Sequence, residues 1–330
     1  MDVSLIEAQN LKKYFPIKLG LIERLRTRNP PQVHAVDNIS FTIKSREIFG
    51  LVGESGCGKT TTGMLLLRLT EPTSGKILFK GKDITVLPEK EMRKLRPKMQ
   101  IIFQDPFESL NPRMTIYSII AEPILVQKIA NTREEITEKV IRALEDVDLV
   151  PPEEFLYRFP HELSGGQRQR VAIARAFILE PEFVVSDEPV SMLDASVRSR
   201  VLDLLLALVG KVHCGFLFIT HDLALSRYIC DRIAVMYCGK IVEVGQSDDV
   251  IKNPLHPYTE ALLAAVPVPD PEARRTKIVI KGELPSALHP PSGCRFHPRC
   301  QYAQDKCRNE EPQMSIYKKN RSVMCHFPLE

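Results

Sequence analysis

The sequence predicts an α/β fold, and three observations predict it. An apolar run, Ile48 to Val52, feeds a glycine-rich turn, Gly53-Glu54-Ser55-Gly56-Cys57-Gly58-Lys59-Thr60, and a helical stretch begins near Thr60. Further apolar runs end in polar side chains: Met99 to Phe103 at Gln104, Phe183 to Val185 at Asp187 and Glu188, and Phe216 to Thr220 at His221. Open α/β sheets bind their ligands at the carboxyl edges of such strands. Short runs that alternate apolar and polar side chains, 5–15 and 36–43, add half-buried strands of another kind.

The turn has the spacing G-x-x-x-x-G-K-S/T, a phosphate-binding loop. Glycines let the backbone curl until successive N–H groups point at one anion. The helix that follows offers its unpaired N–H groups and positive dipole end to the same anion. Lys59 is expected to reach the β- and γ-phosphates, and the Thr60 hydroxyl to sit on Mg²⁺. The motif says nucleoside triphosphate without saying what its energy is used for.

Composition bounds the rest. A chain of 330 residues suggests about two domains. With 26% charged and 44% apolar residues it reads as an ordinary soluble globular protein. A net charge of +4 is too small to argue for nucleic acid. The opening MDVSLIEAQNLKKYF lacks the basic-then-apolar layout of a secretory signal, and runs such as Val201 to Val209 are too short to span a bilayer. The expected compartment is the cytoplasm, where the eight cysteines stay reduced rather than forming a disulfide framework.

In chain order, the segment from Pro16 to His34, with Lys18, Arg24, Arg26 and Arg28, reads as a solvated loop rather than a lipid-headgroup contact. Phe15, or Tyr14 as second choice, could stack on a purine ring. After the phosphate loop, Thr61 to Leu69 reads as helix, Glu71 to Gly75 as turn, Ile77 to Phe79 as strand and Gly81-Lys82-Asp83 as another turn. From Asp105 to about Phe159 helical patterns dominate, as in Glu134 to Val147, with Pro106, Pro112, Pro123, Pro151 and Pro152 as breaks. Leu163-Ser164-Gly165-Gly166-Gln167 then leads into a helix over Val171 to Leu179. Ser164 suits an N-cap, and the two glycines leave N–H groups open as a second anion site. Asp187 suits a Mg²⁺ ligand, Glu188 could polarise a water for attack on the γ-phosphate, and His221 could donate to a phosphate oxygen.

The ordered set GESGCGKT, Gln104, LSGGQ at 163–167, VVSDEP and His221 resembles the ATP-binding subunit of an ABC transporter, over residues 5 to about 253. The resemblance implies a P-loop NTPase (RecA-like) core with the ABC antiparallel β and helical subdomains, an ATPase domain over 1–253 with its helical subdomain at about 105–165. It implies that Phe15 stacks on adenine and that Gly53, Glu54, Ser55, Gly56, Cys57, Gly58, Lys59, Thr60 and Thr61 hold the phosphates. Thr60, Gln104 and Asp187 organise Mg²⁺, Glu188 is the catalytic base and His221 the switch histidine. Ser164, Gly165, Gly166 and Gln167 bind the ATP of the opposite subunit, and Ser191 to Asp194 form the inter-subunit loop. Val190 and Met192 stand where the family usually has Thr and Ala, and neither change removes a reacting group.

Residues 254–330 narrow the branch. They open with Leu255-His256-Pro257-Tyr258-Thr259-Glu260-Ala261-Leu262-Leu263, continue through Gly282-Glu283-Leu284-Pro285, and carry Cys294, Cys300, Cys307 and Cys325 in the spacing C-x5-C-x6-C-x17-C. Four thiolates in a proline-rich, core-poor tail can close on Zn²⁺ or an iron–sulfur cluster. The tail, with Phe103-Gln104-Asp105-Pro106 and Ser109 to Met114, resembles the oligopeptide/dipeptide branch of ABC importers. That implies a small Cys-rich C-terminal domain with a 4Fe-4S cluster, Zn²⁺ being the runner-up with His297 or His326 as substitute ligands. It also implies ATP-driven closure of two cassettes, the second a paralogue. They would sit on two transmembrane permease subunits gripped near Asp105 to Glu122, at the cytoplasmic face of the membrane and served by an extracytoplasmic substrate-binding protein. Relatives of the branch import oligosaccharides or nickel. A soluble ABC ATPase of DNA repair or translation would carry coiled coils or tandem cassettes, and neither is present. The four cysteines lie far along the chain from every phosphate-handling residue, so their site is expected to be structural and basal hydrolysis to survive its loss. Cys57, inside the phosphate loop, is expected to be sensitive to alkylation. Cys214, Cys230 and Cys238 are expected to be structural.

Overall fold

The computed structural model describes residues 4–17, 30–265, 282–317 and 321–329. Lys18, Arg24, Arg26 and Arg28 lie outside the described residues. The strands, in chain order, are β1 (Ser4–Pro16), β2 (Gln32–Lys44), β3 (Ile48–Val52), β4 (Ser74–Phe79), β5 (Lys82–Asp83), β6 (Met99–Ile102), β7 (Phe183–Asp187), β8 (Gly215–Thr220), β9 (Arg232–Tyr237), β10 (Lys240–Gln246), β11 (Ser315–Tyr317) and β12 (Arg321–Val323). The chain parts into two compact units, one of Met1–Ile43, Ile48–Thr85 and Phe218–Glu330, the other of Lys44–Glu47 and Val86–Leu217.

The first unit holds a four-stranded sheet ordered β2-β1-β4-β5. β1 runs antiparallel to β4, with Ile6 opposite Phe79 and Ala8 opposite Ile77. On β2 the period of two is visible in burial: Ile39, Phe41 and Ile43 face inward while Ser40 and Thr42 face out. The stretch Gly81-Lys82-Asp83 is only partly a turn. Lys80 and Gly81 take positive φ, and Lys82–Asp83 pairs back on Leu78 and Phe79 as β5. In the unit's other sheet β3 lies parallel to β9, from Phe49 opposite Arg232 to Val52 opposite Val235, and the phosphate loop begins at the residue after Val52. β10 pairs antiparallel with β9, β12 with β10, and β11 with β12.

The last part of the chain is therefore stitched to the same unit as the phosphate loop. One buried carboxylate does much of the stitching. Glu243 on β10 is fully buried. Its two oxygens accept the Leu255 and His256 N–H groups at 3.0 and 2.9 Å, and Arg321 on β12 donates to it at 2.7 Å. Arg321 also donates to the Asn253 carbonyl at 2.6 Å. A buried charge paired and hydrogen-bonded in this way fixes register, whereas removing one partner would leave the other charge stranded.

In the second unit β6 and β7 run parallel, Met99 opposite Phe183 and Ile102 opposite Ser186. All five residues of β7 are buried, as expected of a parallel strand covered on both faces. Helices follow the apolar spacing. Over Arg133–Glu145, Ile136, Val140, Ala143 and Leu144 form the buried stripe, and Thr132 caps the start by accepting the Glu135 N–H at 3.2 Å. Pro123 does not break the chain: it sits inside the Ile116–Gln127 helix. It forfeits one N–H, and the buried Ile116, Ile119, Ile120 and Ile124 hold the helix against that loss. Pro106 occupies the first turn of a short helix, where no N–H is needed. No helix among the described residues is long and apolar enough to cross a membrane.

Candidate active site

The phosphate loop follows β3 directly and runs into a helix over Lys59–Leu66. Gly58 has φ +110, and a Cβ there would run into the Ala35 carbonyl, so the curl needs glycine. Lys59 is buried, and its Nζ donates to the Gly53 carbonyl at 2.8 Å and the Glu54 carbonyl at 3.1 Å. A cationic head held over the loop's own backbone, beside the start of a helix, is suited to a polyphosphate. Cys57 corrects the expectation of alkylation. It is 1% exposed, its carbonyl accepts the Gly239 N–H at 2.8 Å, and burial pushes its thiol up to about 11. A thiol turned under the loop and kept protonated is a poor nucleophile. Cys214, Cys230 and Cys238 are likewise buried and free.

The structure separates the two aromatic candidates at the end of β1. Tyr14 is engaged inside the unit: its ring stacks on His34 at 4.1 Å and its hydroxyl donates to Asp37 at 2.5 Å. Phe15, on the opposite face of the strand, is 40% exposed with the Lys13 ammonium 4.9 Å above its ring. Only Phe15 retains an open ring. His221 follows β8, and Asp222 beside it caps the Leu223–Ile229 helix by accepting the Leu225 N–H at 3.0 Å.

In the second unit the chain brings Gln104 and Glu188 together although 84 residues separate them. Gln104 Nε2 lies 3.3 Å from Glu188 Oε2 and 3.4 Å from Ser191 Oγ. Gln104 stands two residues beyond β6, and Asp187 is the buried last residue of β7. Glu188 takes φ +44, a left-handed conformation rare outside glycine. Its carbonyl is held by the Ser191 N–H at 3.2 Å and the Ser191 hydroxyl at 3.0 Å. Ser164 caps a helix that starts at Gly165, not near Val171. Its hydroxyl accepts the Gln167 N–H at 3.3 Å while Gln167 Oε1 accepts the Ser164 N–H at 2.9 Å. The S-x-x-Q capping box was the sequence signal for that earlier start. Gly165 and Gly166 are the first turn of the helix, so their N–H groups point out of its N-terminal end.

Cys294, Cys300, Cys307 and Cys325 line one small cavity together with His256, His297 and His326. Burial, and then the neighbouring Cys294, Cys300 and Cys307 thiols, push Cys325 up to about 12. Among the described residues, however, no three or more His, Cys, Asp or Glu stand in a group that could hold a metal ion. The four cysteines thus share a cavity, and the expected metal centre is not found there as a closed ligand set. His297 Nδ1 and His326 Nε2 each lie 2.9 Å from a backbone carbonyl, of Cys294 and Glu310.

Sequence reasoning missed what meets the phosphate loop. The Glu54 N–H donates to the hydroxyl of the fully buried Tyr258 at 3.0 Å, and Arg299 grips the Glu54 carboxylate with Nη1 at 2.7 Å and Nη2 at 3.0 Å. Arg299 is the neighbour of Cys300, so the cysteine-bearing segment is not remote from the phosphate-handling residues. His256-Pro257-Tyr258 was conspicuous in the sequence, but nothing local says that its tyrosine reaches back 204 residues.

Residues 36–191 match the family model described as ABC transporter, and residues 242–307 match the one described as oligopeptide/dipeptide transporter, C-terminal region. The chain is 47% identical to the oligopeptide transport ATP-binding protein AppF of Bacillus subtilis, over 98% of this chain and 97% of that protein. It is 50% identical to a Brucella ovis protein whose name provisionally assigns it to peptide import as an ATP-binding protein, over 89% of this chain and 92% of that one. Among solved structures it is similar to the dimeric ATP-binding cassette MJ0796 in a post-hydrolysis state bound to ADP and Pi. The TM-score is 0.64 and the identity 27%, covering 73% of this chain and 98% of that one. It is similar also to cbiO1 from Clostridium perfringens, with a TM-score of 0.63 at 27% identity, covering 76% of this chain and 91% of that one. Fold and site together define an ATPase of the ATP-binding cassette class. The chain belongs to the ABC transporter ATP-binding family, in the branch that carries the oligopeptide/dipeptide transporter C-terminal region.

Proposed function

We propose that this chain hydrolyses ATP to power the import of oligopeptides or dipeptides, as one of two cassettes that close over ATP beneath a pair of membrane permeases. The observation that carries the reading is the conjunction of a glycine-shaped phosphate loop, the Gln104–Glu188 contact and the C-terminal match over residues 242–307. Lys59 and the loop N–H groups bind the phosphates, Phe15 packs on the adenine, and Thr60, Gln104 and Asp187 are the side chains that would hold Mg²⁺, which neutralises phosphate charge when bound. Glu188 takes the proton of the attacking water, and His221 donates to the γ-phosphate side. Ser164 to Gln167 present a capped helix start to the ATP of the partner cassette.

The permeases sit at the cytoplasmic face and grip the second unit. Support comes from a cavity of about 330 Å³ there, lined by Gln100, Ser109, Leu110, Glu122, Val126 and Arg175, next to the exposed Leu125. Arg175 ties its walls together, donating to the Ser109 carbonyl at 2.9 Å and to Glu122 at 3.0 Å. The partner cassette is a paralogue. Reconstitution of the chain with its partner cassette, permeases and binding protein in vesicles tests the reading. ATP-dependent accumulation of a peptide is the expected result, and accumulation of an oligosaccharide or nickel with no peptide uptake overturns the cargo.

The four cysteines would hold a 4Fe-4S cluster. Four soft donors facing one cavity suit iron–sulfur or zinc chemistry. Protein purified without oxygen is expected to be brown, with iron and acid-labile sulfide each at about four per chain. Cys300→Ser is expected to lose the colour. A colourless anaerobic preparation with zinc in its place moves the site to the runner-up, and four freely alkylated cysteines with no metal sink both.

A further inference from the structure

We propose that Arg299 and Tyr258 are positioning residues for the phosphate loop, acting together through Glu54; the proposal rests on the ATP-binding reading above. Glu54 is the second residue of the loop, and a carboxylate there faces a problem of sign. The loop exists to collect negative charge, and an unpaired carboxylate within it opposes the triphosphate. Arg299 removes that opposition with a two-pronged pair at 2.7 and 3.0 Å. The Arg299 side chain is 7% exposed and that of Glu54 26%, so solvent screens the pair poorly.

The arginine is itself held. Its Nη1 lies 3.4 Å from the Tyr237 hydroxyl and its guanidinium 5.8 Å from the Tyr237 ring. Tyr237 is fully buried and packs on Tyr258 at 4.6 Å and on Phe296 edge-on at 5.2 Å. Tyr258 closes the other side by accepting the Glu54 N–H at 3.0 Å. Both handles of Glu54, the amide and the carboxylate, are thus fixed by residues beyond the end of the bare cassette. With the Glu54 N–H committed to Tyr258, the later N–H groups of the loop are the ones left for phosphate.

Arg299 and Tyr258 touch no reacting atom. The expected signature is therefore a change in ATP affinity with little change in turnover at saturation. In the full-length protein, Arg299→Ala is expected to raise the ATP Kd about tenfold or more, the scale of a charge-assisted pair, while kcat stays within about twofold. Arg299→Lys is expected to recover part of the affinity, since it keeps charge but not the fork. The decisive variant is Arg299→Met with Glu54→Gln. Removing the carboxylate removes the reason for the arginine, so the double variant is expected to bind ATP within about threefold of Glu54→Gln alone. An unchanged Kd in folded Arg299→Ala, or a double variant as weak as Arg299→Ala, overturns the proposal. Should Arg299→Ala fail to fold, Tyr258→Phe keeps the ring and deletes only the oxygen. It is expected to weaken ATP about threefold to tenfold, and an unchanged Kd again overturns the proposal. Wild-type protein is the control that separates the two readings. If it does not bind ATP, the functional reading fails; if it binds and the variants bind as well, only this inference fails.

Discussion

Replacing Glu188 with Gln is expected to lower ATP turnover by about two to four orders of magnitude, the range seen when a general base is removed, while ATP stays bound. The side chain keeps its size and can still accept from Gln104, so the 3.3 Å contact need not be lost. What disappears is the capacity to take a proton. The backbone argues that the position is specialised: φ of +44 on a glutamate is an unfavourable conformation, and the Ser191 amide and hydroxyl on its carbonyl are what sustain it. Phosphate release and nucleotide retention measured on the same sample check the prediction. Mixed with its partner cassette, the variant should accumulate as an ATP-held dimer on size-exclusion chromatography, and wild-type turnover would remove Glu188 from the role.

The parts of this site written in short-range patterns were legible. The loop spacing, the apolar runs ending in Gln104, Asp187 and His221, and the N-cap at Ser164 all depend on residues within a few positions of one another. Errors came where tertiary packing overrode the local signal. Pro123 reads as a break, yet four buried isoleucines of its own helix keep it helical. The choice of Phe15 over its neighbour Tyr14 had no strong local signal behind it. What separates them is His34 and Asp37, which pack against one face of β1 only. Cys57 looks accessible in a loop motif and is buried because the curl turns it inward. The largest miss concerns distance. Cys294 to Cys325 are remote from the phosphate loop along the chain, but β12 pairs with β10 and Arg299 lands on Glu54. Neither event leaves a periodic trace. The Arg299 contact adds to the expectation that basal hydrolysis survives loss of the cysteine site: on the proposal above, disordering that segment weakens ATP binding while turnover at saturating ATP is kept.

The second large effect is expected from Ser164→Arg, which should block closure of the two cassettes and with it nearly all cooperative hydrolysis, while the separate subunit binds ATP as before. Two consequences of the substitution have to be told apart. The first is local. Ser164 and Gln167 exchange hydrogen bonds at 3.3 and 2.9 Å, and losing the cap costs about 1 kcal/mol. That is small beside the stability of a domain and is shared by Ser164→Ala, which serves as the control. The second is steric. Ser164 is exposed at the mouth of a helix whose first turn is Gly165 and Gly166, and small residues there let a phosphate approach the free N–H groups. A long side chain fills that approach. Ser164→Ala is accordingly expected to dimerise with ATP at somewhat reduced affinity, and Ser164→Arg not at all, with both keeping the wild-type dissociation constant for ATP as isolated subunits. Analytical ultracentrifugation of each variant mixed with the partner cassette, with and without ATP, beside equilibrium nucleotide binding to the isolated subunit, distinguishes the outcomes. Normal ATP-dependent dimerisation of Ser164→Arg would show that this helix start does not complete the partner's site.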